Sequence, residues 1–300
     1  MAAALGAFGL AVFRGDDALV ARFAFVANVF VDGHDELSLE RLLYLTWGLC
    51  RASQERPFAV TLAGMAKVYA GTSGWSYASW KPDFYPAKLA SAKFLSYYGT
   101  RLNSVEVNYT FRRFPTEKLL EGWIEATPAD FRFALKAHQM ITHIKRLRGT
   151  ADWLTRFFSS LRPLEDAKKL GPVLFQLPPN LKCDVGMLRD FLEELPPGLR
   201  SAFEFRDASW FCDEVYAALR AKKAALCQAE SEKLETPTVE TAGFAYLRLR
   251  KEKYPPKELA QIRSKVAEAA GRGEVFVYFK HEETPEGALC AEGLLSTSPR

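Results

Sequence analysis

The sequence lacks the features that identify several common classes of protein. Its 300 residues contain no apolar run that approaches the roughly 18 residues of a membrane-spanning helix, so we predict no membrane partner. No G-x-G-x-x-G turn follows a strand, which disfavours a bound dinucleotide, and no G-x-S-x-G elbow indicates a serine hydrolase. We therefore predict that the protein carries no cofactor.

Residues that bind metals are also scarce. Only four histidines occur, and His138 and His143 lack the H-x-x-x-H spacing of a helical pair of ligands. The five cysteines are odd in number and have no C-x-x-C spacing, which indicates reduced thiols in a cytoplasmic protein. We predict no metal site. We expect four of the cysteines to be buried apolar residues, namely Cys183, Cys212, Cys227 and Cys290.

Lysine is missing from one part of the chain. Residues 1–64 contain none, whereas residues 65–300 contain 18. A cleaved signal or a small appended domain would be alternatives, because residues 2–13 are apolar and residues 37–49 can form an amphipathic helix. We expect instead that Met65 is the true start, that residues 1–64 are a mis-assigned or poorly ordered extension, and that one domain spans 65–300.

From residue 65 onward, short apolar segments alternate with segments of helical periodicity. We predict eight strands, at 68–72, 104–108, 132–136, 173–176, 201–205, 224–228, 244–249 and 275–279. Only the gap between the sixth and seventh strands lacks a helical stripe. Strands that alternate with helices run parallel, and eight units match the ~250 residues typical of a barrel. We predict an α/β fold of the (β/α)₈ TIM-like barrel class, with an open doubly wound sheet as the alternative.

Polar residues occupy one face of these strands near their C-terminal ends. Side chains alternate across a strand, so Val105 and Val107 suit the helix layer while Glu106 faces the barrel interior. The same argument places other polar side chains inside or at the end of the barrel: Asn108, Lys136, Gln176, Glu204, Arg206, Arg248, Arg250, Tyr278 and Lys280. Barrel enzymes build their sites at this end of the strands.

Cations outnumber carboxylates in this inward set, which favours an anionic ligand, most simply a phosphate or a carboxylate. Arg206, Arg248 and Lys136 would then hold the anion. Asn108 and Gln176 would orient the ligand, and Tyr278 is a further binding candidate. The alternative is that the charges pair with one another and fill the C-terminal end of the barrel, its mouth.

Three inward residues are candidates for catalysis. Glu106 and Glu204 could act as a general acid and base. They are also natural partners for Lys136 and Arg206. Lys136, desolvated beside other cations, could form a Schiff base or could contact a phosphate.

The turn after the first strand offers two more candidates. In residues 71–74, Gly74 could present backbone N–H groups to an anion, or the segment could be only a tight turn. Trp75 could stack on a ligand together with Tyr77 and Trp80, or the three rings could pack over the barrel end.

Several motifs together resemble the YecE-like family, known as domain of unknown function 72. They run over residues 67–295 and include Gly71-Thr-Ser-Gly-Trp75-Ser-Tyr77, Val105-Glu-Val-Asn108, Thr142-His143, Phe203-Glu-Phe-Arg206 and Tyr246-Leu-Arg248. The resemblance implies a TIM-like barrel and brings no established reaction. Where many relatives read Arg-Leu-His-Gly, this chain reads Arg248-Leu-Arg250-Lys251, which makes the mouth more basic.

Three functions are compatible with these observations. The first is a barrel whose mouth binds a small phosphate-bearing ligand, with enzymatic turnover left open. The second is a nucleic-acid-binding or repair-related protein, by analogy with barrel endonucleases. The third is a ligand sensor or scaffold without catalysis. The sequence does not indicate an oligomeric state.

Overall fold

The computed structural model of the protein describes residues 66–231, 233–280 and 283–296. Residues 1–64 and Met65 lie outside the described residues, so the expected extension and the proposed start stay predictions. In the described part, strands and helices alternate along the chain.

The described part contains nine strands, and every pairing between them is parallel. They are β1 (Val68–Thr72), β2 (Ser104–Val107), β3 (Arg132–Lys136), β4 (Leu170–Gln176), β5 (Ser201–Glu204), β6 (Ala225–Leu226), β7 (Gln228–Ala229), β8 (Phe244–Leu249) and β9 (Glu274–Phe279). Cys227 alone separates β6 from β7, so these two segments share the sixth position that the sequence predicts. The eight predicted strand positions are confirmed.

The strands form a nearly closed barrel. One sheet has the order β1-β9-β8-β7 and the other the order β2-β3-β4-β5-β6. The short β6 and β7 join the sheets on one side, and a bridge between Ser73 and Glu106 joins them on the other. The (β/α)₈ TIM-like barrel is confirmed, and the open doubly wound sheet is excluded.

Side chains complete the seam between β1 and β2. The Asn103 amide accepts from the Ala70 N–H at 2.9 Å and donates to the Val68 carbonyl at 2.8 Å, in place of a peptide group. The Tyr98 hydroxyl accepts from the Thr72 N–H and donates to the Ser104 carbonyl, both at 2.9 Å. The backbone groups at the seam are thus satisfied although β1 and β2 share no regular ladder.

In the described residues, seven α-helices lie between or after the strands. They are α1 (Phe94–Arg101), α2 (Glu117–Glu125), α3 (Ala151–Asp166), α4 (Val185–Glu194), α5 (Asp213–Ala221), α6 (Pro256–Ala270) and α7 (Glu286–Leu295). Asp184 caps α4 by accepting from the Met187 N–H at 2.9 Å. No helix occurs in the described residues between β7 and β8, as the sequence predicts. No described helix is long and apolar enough to span a bilayer.

The barrel has two separate apolar layers. Outward residues such as Val105, Phe133 and Phe203 are completely buried against the helices. Inside the barrel, Tyr69 stacks on Phe276 with ring centroids 4.7 Å apart, and small residues fill the remaining space. This interior packing closes the N-terminal part of the barrel and leaves the polar residues at the C-terminal ends of the strands, which we call the mouth.

One expectation about the thiols needs correction. Cys227 is buried inside the barrel, but Cys183, Cys212 and Cys290 are only partly buried. Burial still raises the pKa of the Cys183 thiol to about 11, so this cysteine is protonated at neutral pH.

Replacing Gly71 with alanine is expected to weaken the barrel. A Cβ atom at this position would lie 1.9 Å from the Ser104 carbonyl oxygen, so β1 and β2 would have to separate. We expect Gly71→Ala to lower the free energy of unfolding by about 3 kcal/mol or more, as measured by urea denaturation. Gly122→Ala is the control, since Gly122 lies in α2 with no atom within 4 Å of the added methyl group. Equal stability of the two variants would contradict the close approach of the strands.

Candidate functional site

Arg248 lies at the centre of the mouth and binds two carboxylates. Its Nε and Nη2 donate to the two oxygens of Glu106 at 2.9 and 2.7 Å, and its Nη1 donates to Glu204. The three side chains are almost completely buried, with exposures of 2% for Arg248, 0% for Glu106 and 2% for Glu204. Every nitrogen of this guanidinium is therefore engaged within the protein.

Further donors satisfy the remaining oxygen positions. Ser73 and Tyr246 donate to Glu106 at 2.7 and 2.8 Å. Gln176 and Arg250 donate to Glu204 at 2.9 and 2.6 Å. We call Arg248, Arg250, Glu106 and Glu204 the Arg248 network. Its two cations and two anions balance.

The network keeps both carboxylates ionised. Burial alone would raise the pKa of Glu204, but Arg248 and Arg250 outweigh it and lower the pKa to about 2. In the same way, Arg248 holds the pKa of Glu106 below its ordinary value against the effect of burial. Neither residue has a proton to donate near neutral pH, so the geometry does not support the predicted acid–base pair.

Lys136, at the end of β3, is a further cation that is not part of the neutral Arg248 network. Its Nζ donates to the Oε1 of Gln176 at 2.7 Å and lies 4.1 Å from the centroid of the Phe111 ring. The expectation that Lys136 pairs with a glutamate is wrong, because Arg248 takes both carboxylates. Burial, followed by repulsion from Arg248, lowers the pKa of Lys136 to about 8.

His143 and Arg206 extend the mouth beyond Lys136. His143 lies in a π-helical turn (Met140–Ile144), a distortion that is frequent at functional sites, and packs against Phe111 at 4.9 Å. Burial, then Lys136 and Arg206, lower the pKa of His143, so its ring is neutral at pH 7. Arg206 is exposed and makes no ion pair or hydrogen bond with any residue that the structure describes.

Three predicted ligand-binding residues have other roles. Arg248 is only 2% exposed and each of its three guanidinium nitrogens bonds a carboxylate, so a ligand at the mouth does not reach it. Gln176 uses both ends of its amide, on Lys136 and on Glu204, and thus orients Lys136 rather than a ligand. Tyr278 is completely buried and bonds Ser104 at 2.7 Å, below Glu106 on β2, so it cannot reach the mouth.

The turn at residues 71–74 closes the barrel. The Ser73 N–H donates to the Phe279 carbonyl at 3.0 Å, and the Gly74 N–H donates to the Glu106 carbonyl at 2.9 Å. These amides are not available to an anion, which corrects the expected N–H cradle. Gly74 has a φ of +97°, a conformation in which glycine is favoured.

The aromatic cluster is mainly structural. Trp80 is completely buried and stacks on Tyr85 at 5.8 Å, while Trp75 packs edge-on against Trp123 of α2 at 5.3 Å. Of the two readings of the cluster, packing over the barrel end is the one that these contacts support. Asn108 is half-buried just after β2, and its side-chain amide bonds no residue in the described part.

Strand alternation did not predict four residues of the mouth, namely Tyr246, Ser73, Phe111 and His143. Tyr246 shares the inward parity of Arg248, so the same argument could have found it. Ser73, Phe111 and His143 lie outside regular strands, where alternation gives no direction. Across the described ranges, no group of three His, Cys, Asp or Glu residues is arranged to hold a metal ion.

Comparisons with known proteins give one family. The family model described as "protein of unknown function DUF72" matches residues 69–298. The UPF0759 protein YunF of Bacillus subtilis is 32% identical over 156 residues, which are 50% of this chain and 54% of that protein. The chain thus spans about half the length of the curated relative that it matches.

Solved structures agree with this family. A DUF72 family protein from Thermotoga maritima has a TM-score of 0.69 and 28% identity, and the match covers 77% of this chain and 98% of that one. A DUF72 family protein from Enterococcus faecalis has a TM-score of 0.64 over 78% and 98% of the two chains. At 18% identity, the second structure supports the fold alone.

Removal of Arg248 is expected to destabilise the fold strongly. Arg248→Met leaves two ionised carboxylates buried and should lower the free energy of unfolding by about 3–5 kcal/mol, as measured by urea denaturation at pH 7. The triple variant Glu106→Gln, Glu204→Gln, Arg248→Met removes these charges together and should recover much of that loss. A single variant within about 1 kcal/mol of the wild type would contradict the network.

Lys136 is expected to titrate near pH 8. In protein labelled with ¹³C-lysine, the Cε shift of Lys136, assigned with Lys136→Arg, should report an ammonium below about pH 8 and a neutral amine above it. Lys280→Ala should raise this pKa, because Lys280 is one of the cations that lower it. Lys118→Arg, an exposed change on α2, should have no effect. A midpoint near the ordinary value of 10.5 would show that burial does not act on this amine.

Proposed function

The chain belongs to the family described as "protein of unknown function DUF72", and since membership brings no reaction with it, we propose from the site itself that the mouth binds a small phosphate-bearing ligand. One observation carries the proposal. The Arg248 network is neutral without Lys136 and Arg206, so these two residues add positive charge that no described carboxylate offsets by direct pairing.

Phosphate suits this arrangement for physical reasons. Arg206 is exposed, and a guanidinium can donate two parallel hydrogen bonds to a phosphate. Lys136 is partly buried, so its attraction to an anion is screened less than that of a surface lysine. A bound dianion would stabilise the ammonium form of Lys136 and offset the cost of holding these cations together.

The proposed ligand contacts are few. Arg206 and Lys136 would hold the phosphate, and the Asn108 amide would bond a polar group of the ligand at the end of β2. Lys280 follows β9 and lies near enough to lower the pKa of Lys136, so it adds to the positive potential. Arg250 contributes less, because it already pairs with Glu204 at 2.6 Å.

Any proton transfer at this site would use Lys136 rather than the glutamates. An amine with a pKa of about 8 exchanges protons readily near neutral pH, whereas a carboxylate with a pKa of about 2 is a weak base. An enzyme would therefore lose turnover in Lys136→Arg. A ligand sensor would keep its affinity and would show no turnover with any ligand.

One observation favours nucleic acid as a second candidate ligand. Tyr109 is 43% exposed in a short 3₁₀ turn (Tyr109–Phe111), and Ile144 is 62% exposed at the end of the π-helical turn. Arg112 and Arg146 follow these two turns in the chain. Exposed aromatic and basic side chains together can bind single strands by stacking and charge. Several phosphate contacts would make affinity fall steeply with salt, whereas a pocket for one phosphate gives a shallow fall.

A phosphate compound is expected to stabilise the folded protein through Arg206. At about 100 times its Kd, glycerol 3-phosphate should add ~2.7 kcal/mol of stability, which corresponds to a rise of a few degrees in Tm. Arg206→Ala should abolish the shift. Arg162→Ala, an exposed arginine on the outer helix α3, is the matched control and should retain it. The measurement is differential scanning fluorimetry of the full chain.

The same experiment distinguishes the alternatives. A shift with single-stranded oligonucleotides and none with glycerol 3-phosphate would favour nucleic-acid binding. The absence of a shift with either ligand would mean that the mouth is occupied only by its own ion pairs.

A further inference from the structure

Lys136 has surroundings that are unusual for a lysine in a charged site. The two carboxylates of the barrel interior that act on the charge of Lys136, Glu106 and Glu204, are bound by Arg248. The hydrogen-bond acceptor of Lys136 is the neutral Gln176, at 2.7 Å. If the Gln176 amide turned around, it would lose the hydrogen bond that its Nε2 donates to Glu204 at 2.9 Å.

Cations, one aromatic ring and the neutral His143 complete the surroundings of Lys136. Arg248 and Lys280 both repel a positive charge on the amine. The Phe111 ring, at 4.1 Å, favours an ammonium, but a cation–π contact of this kind contributes only about 0.5–2 kcal/mol. The side chain is partly exposed, so the amine is both desolvated and reachable from the mouth.

The other nucleophiles near the barrel interior are less suited to react. The Ser73 hydroxyl donates to Glu106 at 2.7 Å and is buried under the seam. Cys227 is buried inside the barrel, and burial raises the pKa of its thiol well above the ordinary value. Among the described residues at the mouth, Lys136 combines a nitrogen lone pair with access to a ligand.

We propose that Lys136 attacks the carbonyl carbon of a phosphate-bearing aldehyde or ketone and forms an imine with it. The inference rests on the proposed phosphate site, with one change of role: in this complex Arg206 would hold the phosphate, and the Lys136 Nζ would meet the carbonyl carbon instead of the anion. It goes beyond that site by assigning the ligand a second functional group and the lysine a covalent role.

The step balances without an oxidant or a reductant. The amine, having lost one proton from its ammonium form, adds its lone pair to the carbonyl carbon, and the carbonyl oxygen takes a proton to give a carbinolamine. The hydroxyl group then leaves with a second proton as water, and the C=N bond replaces the C=O bond. Neutral His143 packs on the same Phe111 ring as Lys136 and is near enough to the amine for Lys136 to lower its pKa.

The test is reductive trapping on the full chain. The protein is incubated at pH 7.5 with glycolaldehyde phosphate and sodium cyanoborohydride, and the adduct is located by intact mass and peptide mapping. We expect one equivalent of secondary amine at Lys136. Glycolaldehyde without phosphate, at the same concentration, should label Lys136 at least tenfold less.

Matched variants separate this adduct from surface labelling. Lys136→Arg keeps the charge without a reactive amine and should lose the adduct, whereas Lys118→Arg on the exposed face of α2 should retain it. Arg206→Ala should reduce the labelling to the level of the phosphate-free aldehyde. Inorganic phosphate should protect Lys136 in the wild-type protein, which tests the proposal even if a variant folds poorly.

Binding of glycerol 3-phosphate, measured separately, distinguishes failure of the imine from failure of the site. If glycerol 3-phosphate binds and Lys136 stays unmodified, the imine is overturned and the phosphate site remains. If neither binding nor trapping occurs, both proposals fail. Equal labelling by the two aldehydes would also overturn the inference, because the lysine would then react without selecting a phosphate.

Discussion

The mouth of the barrel depends on the contact of one arginine with two buried carboxylates. Arg248 extends from β8 and bonds Glu106 on β2 and Glu204 on β5, so a single guanidinium connects three strands across the interior. A buried charge without a partner costs several kcal/mol, so each of these three ions needs the others in order to be buried. The positions of the surrounding polar side chains follow from this contact, since Ser73, Tyr246, Gln176 and Arg250 all bond the same two carboxylates.

The network also determines which groups remain for a ligand. Two glutamates that would be natural acids or bases are held ionised, and the arginine that would be a natural anion ligand is buried against them. Two cations that lie outside the network are Lys136, beside it, and Arg206, two residues beyond Glu204 on the chain. Their positive charge supports the proposed binding of an anion, and the amine of Lys136 supports the proposed imine.

Much of the fold could be predicted from the sequence, and less of the site. Alternation of side chains places Glu106, Glu204 and Arg248 inside a barrel of parallel strands, because strand parity is a local property. It does not give the height of a residue along the barrel axis. Tyr278 has the predicted inward parity, yet it lies below the network, on Ser104. The pairing of each cation is likewise a matter of three-dimensional distance, so the link from Lys136 to Gln176 could not be derived.

The side chains that close the seam between β1 and β2, and those in turns, could not be predicted for a related reason. Asn103 and Tyr98 close the barrel through side chains, and His143 reaches the mouth from a π-helical turn, where no two-residue period applies. The cap of α4, in contrast, is a local feature: Asp184 directly precedes the helix and accepts from the Met187 N–H, so it depends only on residues that are close along the chain.

The pKa of Lys136 is set by groups that lower it and groups that raise it. Burial, Arg248 and Lys280 lower this pKa, while Glu106 and Glu204 raise it from beyond Gln176. A direct ion pair with either glutamate would raise the pKa and leave little free amine at neutral pH. Without the glutamates, the pKa would fall further, and Lys136 would carry less positive charge near neutral pH. Gln176 keeps the pKa of Lys136 between these two cases, because its neutral amide lies between the lysine and Glu204.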